Sequence, residues 1–250
     1  MAVNEQAEKY RSLDDWFQTP QGHRVSIAMA SELEVVQTHL KGDIFVQLGS
    51  CGENPWLPSF SFTKKWLINP CKNSLKSSLV SSLNGFPFDR NSIDCIFAPL
   101  TLEAFFHDKP PIDEMDRILK PMGYVIFMGI NPLSFWGYSL RWGNLACFGN
   151  RTGALTSSFS LKRAMLSRGY HQCLHSSFLY IPPISNKNLI EKFEILNEAG
   201  KMVRPFPAGF YCIVMQKYQH DQTFTLMETV EEEVLMACKP SWPAAGNMRR

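Results

Sequence analysis

Charge is scarce in this chain. Asp, Glu, Lys and Arg make up 19% of its 250 residues, below the roughly 25% usual in soluble proteins. The 25 basic and 23 acidic side chains leave a formal +2, so no field of one sign is implied. A dedicated nucleic-acid binder, which carries Lys and Arg in excess and in clusters, is excluded on that ground. The 45% hydrophobic content excludes disorder, which requires low hydrophobicity and high net charge. Paired cysteines are also missing. Cys51, Cys71, Cys95, Cys147, Cys173, Cys212 and Cys238 are odd in number, widely spread and form no C-x-x-C. That argues against a disulfide framework or zinc ribbon and for a reducing compartment. Met1 to Tyr10 holds Glu5 and Glu8 and no apolar segment, so no signal peptide is expected. The most apolar stretch, Tyr124 to Phe148, is interrupted by Asn131, Pro132, Arg141 and Asn144, whereas a membrane span needs about 20 mostly apolar residues. These absences describe a soluble, cytoplasmic protein with no membrane span.

What is present is an alternation of strand and helix signals. After Pro20, Ile27, Met29, Leu33, Val36 and Leu40 recur at roughly helical spacing, with Gly42 as a stop. Ile44 to Leu48 is a short apolar run ending in Gly49-Ser50-Cys51-Gly52, the outline of a buried strand entering a small-residue turn. Further strands are expected at Trp66 to Ile68, Leu79 to Leu83 and Ser92 to Ala98, where Pro99 stops the run. A helix is expected over Ile112 to Leu119, and Pro121-Met122-Gly123 then turns the chain into a strand at Tyr124 to Met128. Ser160 and Gly169 bracket a helix as N-cap and C′ residues. Strands near Ser176 to Tyr180 and Phe210 to Met215 flank a helix near Asn188 to Glu198. The pattern is that of an α/β protein with a mainly parallel sheet. In such sheets ligands sit beyond the carboxyl ends of the strands, where strand order reverses.

Several pieces in order carry a resemblance. Phe86-Pro87-Phe88-Asp89-Arg90-Asn91-Ser92-Ile93-Asp94 resembles the L-P-F-x-x-x-S-F/V-D segment of class I S-adenosylmethionine-dependent methyltransferases, especially the type 11 group. Asp116 to Gly123, read as D-R-I-L-K-P-M-G, resembles the R-V-L-K-P-G-G turn of that family. Asn131-Pro132-Leu133-Ser134-Phe135 and Trp16-Phe17-x-Thr19-Pro20-x-Gly22 are similar to elements of one bacterial subgroup. The resemblance runs over roughly residues 13 to 218. It implies a Rossmann-like, seven-stranded, mostly parallel sheet with helices on both faces. The domains it implies are an N-terminal helical cap (1–42), the methyltransferase-like domain (43–218) and a C-terminal extension (219–250), partly helical or disordered.

The resemblance also implies S-adenosylmethionine as cofactor and methyl transfer to a small or lipophilic acceptor. Its site maps onto Gln47, Gly49, Ser50, Cys51 and Gly52 after the first strand, Asn69 after the second, Ser82 and Leu83, and Ala98, Pro99 and Leu100 after the fourth. Gln47, Asn69 and Ser82 stand where the family places acids, at an expected loss of about 1–3 kcal/mol for each charged hydrogen bond. Gln47→Glu and Ser82→Asp are therefore expected to tighten binding. The alternative is a catalytically inactive domain of the same fold that works as a binding or regulatory partner. Cys51 reads as a buried small residue, not a nucleophile. His171, Cys173 and His175 alternate on one strand face without the spacing of a metal site, and no metal is expected. Asp94 is structural in the family. Glu103, His107 and Asp108 offer a base but read more naturally as a solvated helix start. Phe135, Trp136, Tyr138 and Trp142 line an acceptor pocket or cap the core, with neither favoured. Glu231 to Glu233 is a solvated face beside Val230, Val234 and Leu235, which would suit docking on the body or a homodimer.

Overall fold

Residues 3–71, 78–83, 85–105, 111–142, 147–150, 155–183 and 207–218 are described in the computed structural model. His107, Asp108, the helix expected near 188–198 and everything after 218 lie outside them. The first helix, α1 (Val3–Phe17), turns one polar-looking face inward: Gln6, Lys9, Tyr10, Leu13, Trp16 and Phe17 recur at helical spacing and are all buried. A tight corner then leads to α2 (Pro20–Gln37), with Pro20 at its first turn. Thr19 builds that corner twice over, its hydroxyl donating to the Trp16 carbonyl at 2.6 Å and accepting from Gly22 N–H at 3.2 Å. A Cβ at Gly22 would collide with the Trp16 carbonyl oxygen, so only glycine lets the helices approach this closely. The W-F-x-T-P-x-G element is this corner. Of the face expected on α2, Met29, Leu33 and Val36 are buried, whereas Ile27 is exposed and Val25 takes its place.

The strands follow as β1 (Ile44–Leu48), β2 (Lys64–Asn69), β3 (Leu79–Val80), β4 (Ile93–Pro99), β5 (Leu119–Ile130), β6 (Cys147–Asn150), β7 (Tyr170–Phe178) and β8 (Phe210–Lys217). Seven of them form one sheet in the order β3-β2-β1-β4-β5-β8-β7. The pairs from β3 to β5 are parallel, and β8 runs antiparallel to both its neighbours. A seven-stranded, mostly parallel, Rossmann-like sheet is thus the architecture: the strand pattern implied the mainly parallel α/β sheet, and the family resemblance its seven strands. Helices α3 (Thr101–Ala104) and α4 (Ile112–Ile118) separate β4 from β5. Helix α5 (Phe135–Arg141) follows β5, and α6 (Ser158–Leu166) precedes β7.

Three local readings need correction. No turn separates α4 from its strand: β5 begins at Leu119 and carries Pro121-Met122-Gly123 as a bulge, with Met122 at φ 63°. Proline has no N–H for the ladder, so the strand accommodates it by bulging instead of ending. Helix α6 is capped by Ser157, whose hydroxyl accepts Ser160 N–H at 3.1 Å; Ser160 lies within the first turn. Strand β7 starts at Tyr170, directly after Gly169, because its exposed, polar alternate positions hide a strand that is half solvent-facing.

The connection from β1 to β2 contains no helix, and its residues run as successive turns. Pro55, Pro58 and the left-handed Asn54 (φ 49°) prevent one. Aromatic rings cover the sheet there instead. Phe60 and Phe62 pack on Phe45 at 4.7 and 5.4 Å, and Trp56 meets Phe97 edge-on at 5.6 Å.

At the amino ends of the central strands one carboxylate acts as a clamp. Asp94 Oδ2 accepts the N–H groups of Asp43 and Ile44 at 3.1 and 3.0 Å, while Oδ1 accepts from Lys120 Nζ at 2.7 Å. Arg117 joins it nearby, donating to the carbonyls of Phe86 and Phe88 and to Glu114. Partial burial would raise the Asp94 pKa, but the Lys120 ammonium and the two backbone donors outweigh it and hold the carboxyl below its ordinary value. A depressed folded-state pKa stabilises the protein above the unfolded-state value and ceases to do so as pH falls through the folded one. Asp94→Asn is therefore expected to lose about 1–3 kcal/mol at pH 7. Urea melts of wild type and variant should converge as the pH drops below about 4.

Candidate functional site

The residues singled out at the ends of four strands meet along one edge of the sheet. Leu48 pairs with Ile68, Gln47 with Phe97 and Asn69 with Val80, so the ends of β3, β2, β1 and β4 lie side by side. Gly49 (φ 85°) and Gly52 (φ 62°) both take left-handed backbone, which fixes glycine at these turns. Asn69 is buried, and its Oδ1 accepts Cys71 N–H at 3.1 Å. Leu83 lies beyond β3 with its backbone N–H turned inward. Ala98 and Pro99 are not a loop but the last residues of β4, paired with Phe127 and Met128; both are buried, as is Leu100 just after them, which sits at φ 50°, an unusual conformation for a branched side chain. Gln47 is fully buried and committed to the loop. Its Nε2 donates to Gly49 O at 2.9 Å and Asn54 Oδ1 at 2.6 Å, and its Oε1 accepts from Trp56 Nε1 at 2.8 Å. Cys51 is buried as well, and burial pushes its thiol well up, which suits a packing residue.

The residues that sequence reasoning missed lie on α1, which crosses this same edge. Asp14 Oδ1 accepts both the Ser50 hydroxyl and Gly52 N–H at 2.8 Å. Gln6 Oε1 accepts Leu83 N–H at 3.1 Å, the Cys71 thiol donates to Ala7 O at 2.8 Å, and Lys9 Nζ donates to Ala104 O at 3.1 Å. The Tyr10 ring lies against Gly49 so closely that a Cβ there would overlap it. The spacing of Gln6, Tyr10, Leu13 and Phe17 was the available signal, obscured by the polar character of its first members.

Glu103 follows β4 and differs from the solvated helix start expected of it. It is 1% exposed. Its Oε1 accepts Ile130 N–H at 2.9 Å, and Oε2 has no hydrogen-bond partner among the described residues. Burial raises its pKa to about 7, against the lowering effect of the Ile130 N–H. The Tyr211 phenol, which packs at Gly129 beside Glu103, is pushed up by burial and by that carboxyl. The aromatic segment after β5 divides. Trp136 is core, donating to Ile181 O at 2.7 Å and packing on Phe210, whereas Phe135, Tyr138 and Trp142 are exposed, the last two stacked at 5.5 Å. Ser134 caps α5 and donates to Asn131 O, so the N-P-x-S element is a capped turn. His171 and Cys173 face solvent on β7, 3.4 Å apart, and no group of three metal-ligating side chains occurs among the described residues. A cavity of about 520 Å³ lies at the amino ends near Lys64, Phe88 and Arg117, and one of about 300 Å³ beside Val36, Tyr124 and Val214.

Residues 63–127 match a family model described as a methyltransferase domain, that of the type 11 group. No curated protein matches the chain. Among solved structures, a SAM-dependent methyltransferase from Thermotoga maritima aligns with a TM-score of 0.54 and 19% identity, over 76% of this chain and 89% of that one. A Haloferax volcanii methyltransferase, solved with its activator, gives 0.52 and 19%, over 77% and 90%. Geranyl diphosphate C-methyltransferase from Streptomyces coelicolor, solved with Mg2+, geranyl diphosphate and S-adenosyl-L-homocysteine, gives 0.53 and 14%, over 78% and 80%. The chain has the fold of the class I S-adenosylmethionine-dependent methyltransferases, and its β2-to-β5 segment carries the sequence pattern of that domain.

The geometry attaches a structural cost to the substitution at Gln47. Gln47→Glu would remove both Nε2 donors and set a carboxylate against two oxygen acceptors in a fully buried site. We expect it to lower stability by about 2–4 kcal/mol at pH 7 in chemical denaturation. Glu103 generates a pH signature. A raised folded-state pKa stabilises the protein below the unfolded value and ceases to do so as pH rises through the folded one, here about 7. The melting temperature should therefore fall between pH 5 and pH 8. Glu103→Gln should flatten that fall, which corresponds to roughly 1–3 kcal/mol.

Proposed function

We propose that this protein transfers a methyl group from S-adenosylmethionine to a small or lipophilic acceptor. The observation that carries the reading is the placement of a left-handed Gly49–Gly52 turn at the end of β1, beside the ends of β2 and β4, in the methyltransferase strand order. This is where an open α/β sheet binds its ligand. The donors gathered there fit an adenosyl cofactor: the Ser50 hydroxyl, the N–H groups of Gly52 and Leu83, and the Asn69 carboxamide. Cys51, Ser82, Ala98, Pro99 and Leu100 would wall the same groove, with Gln47 holding the loop in shape from behind. When bound, the cofactor supplies a methyl group already activated by its sulfonium, which leaves alignment and exclusion of water to the protein. The buried Glu103 carboxyl, with one oxygen unpartnered, is placed to accept a proton from an acceptor that must lose one.

The exposed aromatics Phe135, Tyr138 and Trp142 past β5 support a lipophilic acceptor. We read the protein as cytoplasmic. In support, no helix among the described residues is long and apolar enough to cross a membrane, and free thiols suit a reducing compartment. The second reading is a domain of this fold retained for binding another partner, a second copy included. It is favoured by one observation: the Ser50, Gly52 and Leu83 donors are already engaged by α1.

Calorimetric titration with S-adenosylmethionine and S-adenosylhomocysteine separates the two. Binding in the micromolar to millimolar range, with a matching rise in melting temperature, is expected. Gly49→Arg should abolish it and His171→Ala should leave it unchanged. Absence of binding at millimolar ligand rejects the enzyme reading.

A further inference from the structure

We propose that α1 is a displaceable plug of the cofactor groove, its Gln6, Tyr10 and Asp14 side chains occupying the positions at which the adenosyl ligand binds. The inference rests on the cofactor reading above and deepens it into a closed and an open state of one site.

The match is group by group. Asp14 takes the Ser50 hydroxyl and Gly52 N–H of the glycine turn, Gln6 takes Leu83 N–H, and the Tyr10 ring fills the space over Gly49. Each of these is a group that the cofactor reading assigns to the ligand. Tyr10 is 1% exposed and Gly49 has no room for even a methyl group beside it. A ligand therefore cannot share the groove with α1, and the helix has to leave for one to enter.

The seam is also poorly satisfied for a permanent core. Among the described residues four buried side-chain atoms lack a hydrogen-bond partner, and three lie here: Gln6 Nε2, Tyr10 Oη and Glu103 Oε2. The polar neighbour of the Tyr10 hydroxyl is the Thr101 side chain, and burial pushes the phenol well above its ordinary pKa. Burying polar atoms without partners opposes closure and offsets the apolar packing of Tyr10 and Leu13. Such atoms would regain partners on opening, from water or from ligand. The far end of the helix is held better. Trp16 packs edge-on against Phe17 and Trp136 at 5.0 and 6.3 Å, next to the Thr19 corner. The first three turns are thus the part that moves, with the aromatic end as hinge.

A closed majority reduces apparent affinity by the fraction of molecules that are open. Calorimetry of the full-length chain with S-adenosylhomocysteine tests this. Asp14→Ala removes the tether at one end of the seam and Gln6→Ala at the other. Both are expected to bind at least about tenfold more tightly than wild type, with circular dichroism unchanged. In Asp14→Cys/Ser50→Cys, which gives up the Ser50 donor, the reduced form is expected to bind, less tightly than Asp14→Ala, and oxidation to abolish that binding, each sample serving as its own control for folding. Equal or weaker binding by both alanine variants, or equal binding by the oxidised and reduced forms, overturns the plug and leaves the cofactor reading intact. No binding by any form at millimolar ligand overturns the cofactor reading and the plug with it.

Discussion

The Asp94 carboxylate organises the central sheet. It gathers two backbone N–H groups at the start of β1 and the Lys120 ammonium at the start of β5, from its own place at the start of β4. Three parallel strands are thereby set in common alignment at their amino ends, with Arg117 tying the preceding Phe86–Phe88 segment to α4. Parallel strands have no hairpins to set their alignment, so a side-chain clamp at one end does so. The opposite ends are left to the Gly49–Gly52 turn after β1 and to Leu100 after β4, where Gly49, Gly52 and Leu100 take left-handed backbone.

That division of labour explains how the chain departs from a regular βαβ repeat and keeps its fold. The β1-to-β2 crossover lacks a helix, and Trp56, Phe60 and Phe62 shield the sheet in its place. With the helix gone, the glycine turn needs another support. Gln47 provides it from behind through Gly49, Asn54 and Trp56. A glutamate there would lack the donors this network uses. The neutral residue that looked like a weakened cofactor contact is therefore matched to an unusual crossover. α1 closes the same edge from the front, and the balance between its packing and its unpartnered polar atoms governs access to the site.

The pieces that resembled a family were legible because each is a structural device with fixed residue demands. The W-F-x-T-P-x-G element is a helix corner in which Thr19 caps and Gly22 permits close approach. The S-I-D and R-I-L-K-P-M-G segments meet through Asp94 and Lys120. The N-P-x-S element is a capped turn closed by Ser134. Requirements of this kind involve near neighbours or one partner, so they leave short patterns. The buried strands were legible for the same reason, through continuous apolar runs such as Val125 to Met128. The bulge at Pro121–Gly123 and the early start of β7 were not, because neighbouring strands decide pairing.

Composition and order along the chain thus determined an α/β sheet, its parallel centre, its family likeness and the row of strand ends proposed as the ligand site. Only the tertiary structure decided what those ends now touch. Burial turned Glu103 from an expected surface acid into a carboxyl titrating near neutrality. Contacts spanning 36 to 77 residues brought Asp14 to Ser50 and Gln6 to Leu83. No local pattern encodes such meetings. They arise because the α1–α2 corner aims one helix across the carboxyl edge of the sheet, where side chains distant in sequence compete for the same backbone donors.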